Sequence, residues 1–314
     1  MKRRTKLVLA GVLLFIAVLI LAFYGRSDRA MRFGTAGIGG VYYNFGQEFG
    51  DFLSDEGLKI DVKETAGSAA NLRLLSGGFI QIAIAQTDVL NDAWTGTEMF
   101  DGKDPLRGYS AVASLYTEAC QVVTTAASGI ESVRDLSGKK VSTGEKESGT
   151  EQNAKQILRT YGLSEEMVEE VSLNYADAAK ALESGEIDAF FYTGGIQTGM
   201  IEDLAEKTDI RLLPVDGKER ENLTSAYSYY SSCVIPAKTY TGQDTEVETI
   251  GVRSVLVVND KVKKDTARKI AQTLYEHVEE LQSGVTVELS LSAEDLPIPL
   301  HEGAKEYYAT AGAS

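Results

Sequence analysis

Several side chains in this 314-residue sequence are spaced to hold a small anion. Residues 32–44 read RFGTAGIGGVYYN: an apolar strand, a glycine-dense turn and two tyrosines opening a helix. Gly34, Gly37, Gly39 and Gly40 permit positive φ and close approach of backbone to a guest. The helix after them presents unpaired N–H groups. The same stretch also reads as a turn that only joins a strand to a helix. Ser68, in TAGSAAN, and Ser148, in TGEKESGTEQN, each precede a helix start. Such a terminus favours a carboxylate by about 0.3 to 1 kcal/mol when exposed. Asn71, Gln86 and Thr150 are placed to orient the guest and Tyr43 to stack on it or hydrogen-bond it, with Tyr192 at a strand end completing the set. Glu147 or Asp88 could take an ammonium group, although Asp88 reads more simply as a helix N-cap.

The ingredients of catalysis are sparse. There are two histidines, His277 and His301, and neither has metal-ligand spacing or a serine nucleophile motif beside it. GTAGIGG lacks the GxGxxG spacing of a dinucleotide site, and the glycine of SGKK lacks the partner glycine of a P-loop. No enzyme activity, cofactor or metal is expected, and His301 is expected to be a structural hydrogen-bonding residue. Cys120 and Cys233 read either as one disulfide or as two small buried thiols in apolar strand-like runs.

Three strand-then-helix units are expected by residue 94: a short strand opening the 32–44 stretch with a helix over 42–53, a strand at 59–64 with a helix over 69–76, and a strand at 80–85 with a helix over 89–94. This succession predicts a parallel α/β sheet. In such sheets a guest sits beyond the carboxyl ends of the strands, which selects residues 37–43, 65–71 and 86–88. Further strands are expected at 120–125, 139–142, 171–175 and 187–192, with helices over 150–161 and 176–184. A helix is expected to start at Gly194 and Gly195. A long strand over 249–258 returns the chain to the first lobe, and a helix over 265–281 follows it.

The formal charge is −15, but the first thirty residues hold six basic side chains and one acidic, so residues 31–314 carry −20. Such a body repels nucleic acid and anionic membranes, which excludes both as partners of the folded part. Residues 2–6 read KRRTK and are followed by seventeen apolar residues, 7–23. This is an export signal that places the rest outside the cytoplasm, either cleaved or kept as an anchor.

GTAGIGGVYYNFG, TAGSAANLRLLSGGFIQIAIAQTDV, DLSGKKVSTGEKESGT, ALESGEIDAFFYTGG and PIPLHEGAKEYY, taken in order, resemble the signatures of the TAXI-type solute receptors of tripartite ATP-independent periplasmic (TRAP) transport. The resemblance implies an α/β, two-lobed type II periplasmic binding protein fold with a hinge between the lobes. It divides the chain into lobe I over 31–118, lobe II over 119–248 and a return to lobe I over 249–314. It also implies a monomeric extracytoplasmic receptor that captures a small carboxylate or amino acid, commonly glutamate-like, and hands it to an ion-gradient-driven permease. Gly37, Gly40 and Tyr43 match the family's first ligand loop, Ser68 and Asn71 its second, Gln86 and Asp88 its third, and Ser148 and Thr150 the helix start of the opposite lobe. The family loop usually carries glycine where this chain has Glu147, and a proline common after the glycine pair is replaced by Ile196 and Gln197. A membrane-anchored ligand sensor of the same fold is the alternative reading, and a transferase on this fold a more distant one.

Overall fold

A computed structural model of the chain describes residues 30–38, 40–281, 284–292 and 295–312. The export segment expected over 1–30 therefore lies outside the described residues, apart from Ala30. No helix among the described residues is long and apolar enough to cross a membrane.

The chain runs β1 (Met31–Gly34), α1 (Val41–Asp55), β2 (Ile60–Lys63), α2 (Ser68–Ser76), β3 (Ile82–Gln86), α3 (Thr87–Thr95), β4 (Tyr109–Thr125), β5 (Lys140–Ser142), α4 (Gly149–Thr160), β6 (Glu169–Val171), α5 (Tyr175–Glu183), β7 (Ala189–Gly194), α6 (Gly199–Ala205), β8 (Ile210–Leu213), α7 (Gly217–Ala226), β9 (Ser231–Ile235), β10 (Val247–Asn259), α8 (Lys264–Glu276) and α9 (Glu302–Ala311). The strands form one sheet in the order β2-β1-β3-β10-β4-β7-β5-β6, with β8 on β4 and β9 on β10.

Two long antiparallel strands divide this sheet into halves. β4 pairs with β10 from Tyr109 to Ala119, then with β7 and β8 as far as Thr125. β10 pairs with β9 up to Gly251, then lies between β3 and β4. Elsewhere the pairing is parallel: β1 with β2 and β3 in the first half, β5 with β6 and β7 in the second. The sequence reading starts a strand at Cys120 and misses the part from Tyr109 to Ala119. The expected lobe boundaries at 118/119 and 248/249 both fall inside the crossing strands.

Apolar spacing explains the layers. Phe45, Phe49 and Leu53 repeat at helical spacing along α1, so one stripe of that helix is buried, together with Phe33, Leu256 and Ile270. The sheet's opposite face packs Leu72, Leu75, Val89 and Leu90. The second half is built the same way, with Val122, Ile157 and Phe191 on one face and Val123, Leu182 and Phe190 on the other. Because helices cover both faces, β3 is buried along its whole length and reads IAIAQ without alternation.

Local expectations shift in places. The expected helix start at Gly194–Gly195 moves to Gly199, because Gly194 still pairs with Ala119 as the last residue of β7. The helix expected to reach 281 ends at Glu276, with His277 stacked on Phe52. His301 has the structural role expected of it, capping α9 as its Nδ1 accepts from the Gly303 N–H at 3.1 Å. Cys120 and Cys233 are free thiols. They lie on β4 and β9, which flank β10 on opposite sides, and a strand between them holds them beyond disulfide reach.

Candidate functional site

The carboxyl ends of the parallel strands in both halves face one seam. The loops leaving them lead into α1, α2, α4 and α5, and the first residues of these helices line a pocket. Gly40, Val41 and Tyr42 come from the start of α1, and Gly67 and Ser68 from the start of α2. Across the seam stand Ser148, Gly149 and Thr150 from α4, and Asn174 and Tyr175 from α5. Each helix turns its positive end toward the pocket, which favours an anion there.

The N–H groups at these termini are not equally available. Ser148 caps α4, its Oγ accepting from the Glu151 N–H at 3.0 Å, and Asn174 caps α5 through the Asp177 N–H at 2.8 Å. The N–H groups of Val41, Tyr42, Gly149 and Thr150 have no protein acceptor among the described residues. At α2 the expected donors are taken. The Glu147 carbonyl reaches across the seam and accepts from the N–H groups of Ala69 and Ala70 at 3.1 and 3.3 Å.

The pocket contains no lysine, arginine or histidine among the described residues, and it contains two carboxyls. Glu118, buried on β4, accepts at Oε2 from Gln86 Nε2 at 2.7 Å and from the Tyr42 hydroxyl at 3.3 Å. Burial pushes its pKa up to about 8, against the opposing hydrogen bond from Gln86. Glu145 is also raised, first by burial and then by the charges of Glu64 and Asp177. Gln86 keeps Oε1 buried without a hydrogen-bond partner among the described residues. The Tyr175 hydroxyl donates to the Thr193 carbonyl at 3.0 Å and meets Thr150 Oγ1 at 2.6 Å.

Of the residues singled out from sequence, Gly37, Gly40, Ser68, Gln86, Ser148, Thr150 and Tyr192 line this pocket. Tyr43, Asn71 and Glu147 do not. A helical residue turns by about 100° from its neighbour, so with Tyr42 directed at Glu118, Tyr43 faces elsewhere. Asn71 is fully buried behind the pocket. Its Nδ2 donates to the carbonyls of Thr35 and Ile84 at 2.7 and 2.9 Å, and its Oδ1 accepts from the Thr65 hydroxyl at 2.8 Å. Glu147 takes φ 72°, a conformation that favours glycine. It directs its carboxylate to Arg73, away from the pocket.

Two capping expectations also change. Ser68 is the first residue of α2, not its cap, and its Oγ accepts from the Gln86 N–H at 3.1 Å. The cap position belongs to Gly67 at φ 116°, which a side chain would strain. Gly34, Gly37 and Gly40 do not take the positive φ expected of them. At Gly34 the glycine provides room, since a β-carbon would lie 2.6 Å from Ile80 and 2.7 Å from Asn71.

Asp88 lies inside the first turn of α3, so it is not a simple N-cap. Its carboxylate accepts from Asn153 Nδ2 on α4 at 2.6 Å, and one turn on Asp92 accepts from Gln152 Nε2 at 2.8 Å. Burial pushes Asp88 up to about 8, with a further contribution from Asp92, and burial raises Asp92 to about 6. Asp88 Oδ1 and Asn153 Oδ1 are two acceptors left without donors among the described residues. A proton on Asp88 would supply one. The two halves therefore meet beside the pocket through acids and amides.

Sequence reasoning missed Glu118, Tyr42, Glu145, Asn174 and Tyr175. Glu118 carried a signal, as the one charged residue in the seventeen-residue strand YSAVASLYTEACQVVTT. Asn174 and Asp177 carried another, a cap followed by an acid in the first turn.

The chain is similar in structure to PhnD1 of Prochlorococcus marinus in complex with methylphosphonate, with a TM-score of 0.56 and 9% identity over 91% of this chain and 99% of that one. It is also similar to a protein of Bordetella bronchiseptica, at 0.53 and 19% over 91% and 81% of the two chains. The alkanesulfonate-binding protein SsuA of Xanthomonas axonopodis pv. citri bound to MOPS matches at 0.50 and 16% over 90% and 91%. These likenesses carry the fold, which is that of periplasmic binding proteins. The NMT1-like family profile matches residues 33–312, which spans both halves and the pocket between them, and the chain belongs to that family.

Proposed function

We propose that the protein is an extracytoplasmic solute receptor that captures a small carboxylate or amino acid between its two halves and delivers it to a membrane permease. The observation that carries this reading is the convergence of four helix N-termini, two from each half, on one pocket at the seam crossed by β4 and β10. Anion binding there needs no cationic side chain. Tyr42, Tyr175, Tyr192 and Thr150 supply the apolar and hydroxyl surface around the guest. The domains are the two lobes expected from sequence, and closure about the crossing strands buries the ligand. Two proteins of the same fold hold methylphosphonate and MOPS, which agrees with a small anionic guest. The resemblance to TAXI-type receptors supports a TRAP-type permease as partner and a glutamate-like ligand. Neither histidine lines the pocket, and the reading is binding without chemistry.

The test is mass spectrometry of small molecules released from the denatured protein, followed by calorimetry and small-angle X-ray scattering with the best candidate. A tight ligand that compacts the protein supports the proposal. A tight ligand with no compaction removes the closure mechanism, and absence of binding across carboxylates, amino acids, sulfonates and phosphonates removes the receptor reading.

A further inference from the structure

We infer that Glu118 is the pocket's acceptor for a positively charged group, so that the receptor selects α-amino acids, which carry an ammonium beside their carboxylate, over carboxylates, sulfonates and phosphonates that lack one. This rests on the receptor reading above and narrows its ligand class.

The geometry has two parts. The starts of α1 and α4 leave the N–H groups of Val41, Tyr42, Gly149 and Thr150 without a protein acceptor among the described residues, and an anion satisfies them. The floor has the opposite character. Glu118 is buried where the two halves join, Glu145 lines the same space, and Gln86 has a carbonyl oxygen without a donor. A bare anion satisfies the termini and is tolerated beside Glu118 only while that carboxyl keeps its proton, and it leaves the Gln86 carbonyl oxygen without a donor. An α-amino acid carries both signs on neighbouring atoms and answers both parts.

The surroundings of Glu118 contain no competing cation. The titratable groups facing it are Tyr42 from α1, Asp88 from α3, Tyr116 and Cys120 from β4, Tyr175 from α5 and Tyr192 from β7. All are neutral or acidic, so the ligand must bring any positive charge. Oε2 accepts from Gln86 and Tyr42, and a carboxylate's two oxygens together have lone pairs for more donors than these two.

A consequence follows for protons. Glu118 has its pKa raised to about 8 by burial, so near neutral pH the empty pocket holds mostly the protonated acid. An ammonium beside it favours the carboxylate. Capture of an amino acid then releases a proton from Glu118 to solvent, and the ammonium keeps its own. At a pH well above 8 the carboxyl is already ionised and the release disappears.

The experiment is titration calorimetry of the full-length protein against the protein amino acids, their 2-oxo acid counterparts, and small sulfonates and phosphonates. Two non-sulfonate buffers of different ionisation enthalpy give the proton count. The expected result is an amino acid that binds at least about tenfold more tightly than its 2-oxo acid, with release approaching one proton at neutral pH and little at high pH. Glu118→Gln should weaken that amino acid by about tenfold or more and abolish the release. The proton count on the unaltered protein keeps the test independent of how well the variant folds. Equal affinity for the amino acid and its 2-oxo acid, or binding without proton release at neutral pH, overturns the inference. If only amine-free anions bind, the role of Glu118 fails and the receptor reading survives; if nothing binds, both fall.

Discussion

Gln86 and Gly149 meet across the seam so closely that a β-carbon at position 149 would lie 1.6 Å from Gln86 Oε1. Gln86 ends β3 of the first half and Gly149 begins α4 of the second. Neither can shift cheaply, because Gln86 Nε2 is tied to Glu118 at 2.7 Å and Gly149 is held by the cap at Ser148. Gly149→Ala should therefore hold the halves apart, although alanine suits a helix better than glycine by roughly 1 kcal/mol. The expected outcome is a larger radius of gyration in scattering and a loss of solute affinity of about tenfold or more, in keeping with the sensitivity of a close-packed contact to one added methyl. Wild-type affinity and scattering in this variant would show that the contact does not govern closure.

The acids between α3 and α4 make the same junction sensitive to pH. Asp88 and Asp92 are buried against Asn153 and Gln152, with pKa values pushed up to about 8 and about 6. Exposed to water, each returns toward the ordinary carboxylate range near 4. The closed form therefore binds more protons than the open or unfolded form between about pH 4 and pH 8, so its stability is greatest at the acid end and falls as pH rises through that window. Scattering and thermal melting at acid and mildly alkaline pH should show a more compact, higher-melting protein in acid. The Asp88→Asn, Asp92→Asn double variant should flatten the dependence, since its amides stay neutral. A wild-type melting temperature that rises steadily from pH 5 to pH 8 would contradict this assignment.

Glu147 tests a backbone argument apart from the ligand. Its φ of 72° favours glycine, while its carbonyl holds the start of α2 and its side chain pairs with Arg73. Glu147→Ala and Glu147→Gly both lose the ion pair, so comparing them isolates the conformation. The glycine variant should be the more stable by about 1 kcal/mol in denaturant unfolding. Equal stability would mean that the turn relaxes in solution.

Much of the fold was legible because the signals are local. Helical spacing announced α1, and successive strand-then-helix units announced a parallel sheet whose carboxyl ends would carry the site. Gly37, Gly40, Ser68 and Gln86 followed from that rule, Ser148 and Thr150 from a second loop of the same kind before a helix, and these line the pocket together with Tyr192. What stayed hidden depends on contacts between distant segments. Whether Tyr42 or Tyr43 faces inward is decided by a carboxyl seventy-six residues away. That Glu147 lends its carbonyl to α2 depends on how the halves close. Glu118 was overlooked because β4 was read only from Cys120 onward, which left the lone acid of that strand outside any element.

Asn71 and Tyr43 separate the scaffold from the site. Asn71 is fully buried and joins three segments: the loop after β1 through the Thr35 carbonyl, β3 through the Ile84 carbonyl, and the loop before α2 through Thr65. Asn71→Ala removes all three hydrogen bonds; the Thr35 carbonyl keeps the Thr65 hydroxyl as a donor at 2.8 Å, while the Ile84 carbonyl loses its side-chain donor, a loss of about 1 to 3 kcal/mol for a buried group left unpaired. The loops bearing Gly37 and Ser68 hang from the same bracket, so the variant should lose a few kcal/mol of unfolding free energy in denaturant and some affinity with it. Tyr43 is half-exposed and outside the pocket lining. Tyr43→Ala should bind solute within about twofold of the wild type, whereas Tyr175→Phe should weaken binding by several-fold, because it removes the hydroxyl that links Thr150 to the Thr193 carbonyl. Calorimetry on the three variants, read beside their melting curves, decides the matter. A large affinity loss in Tyr43→Ala at unchanged stability would move the site toward the outer face of α1.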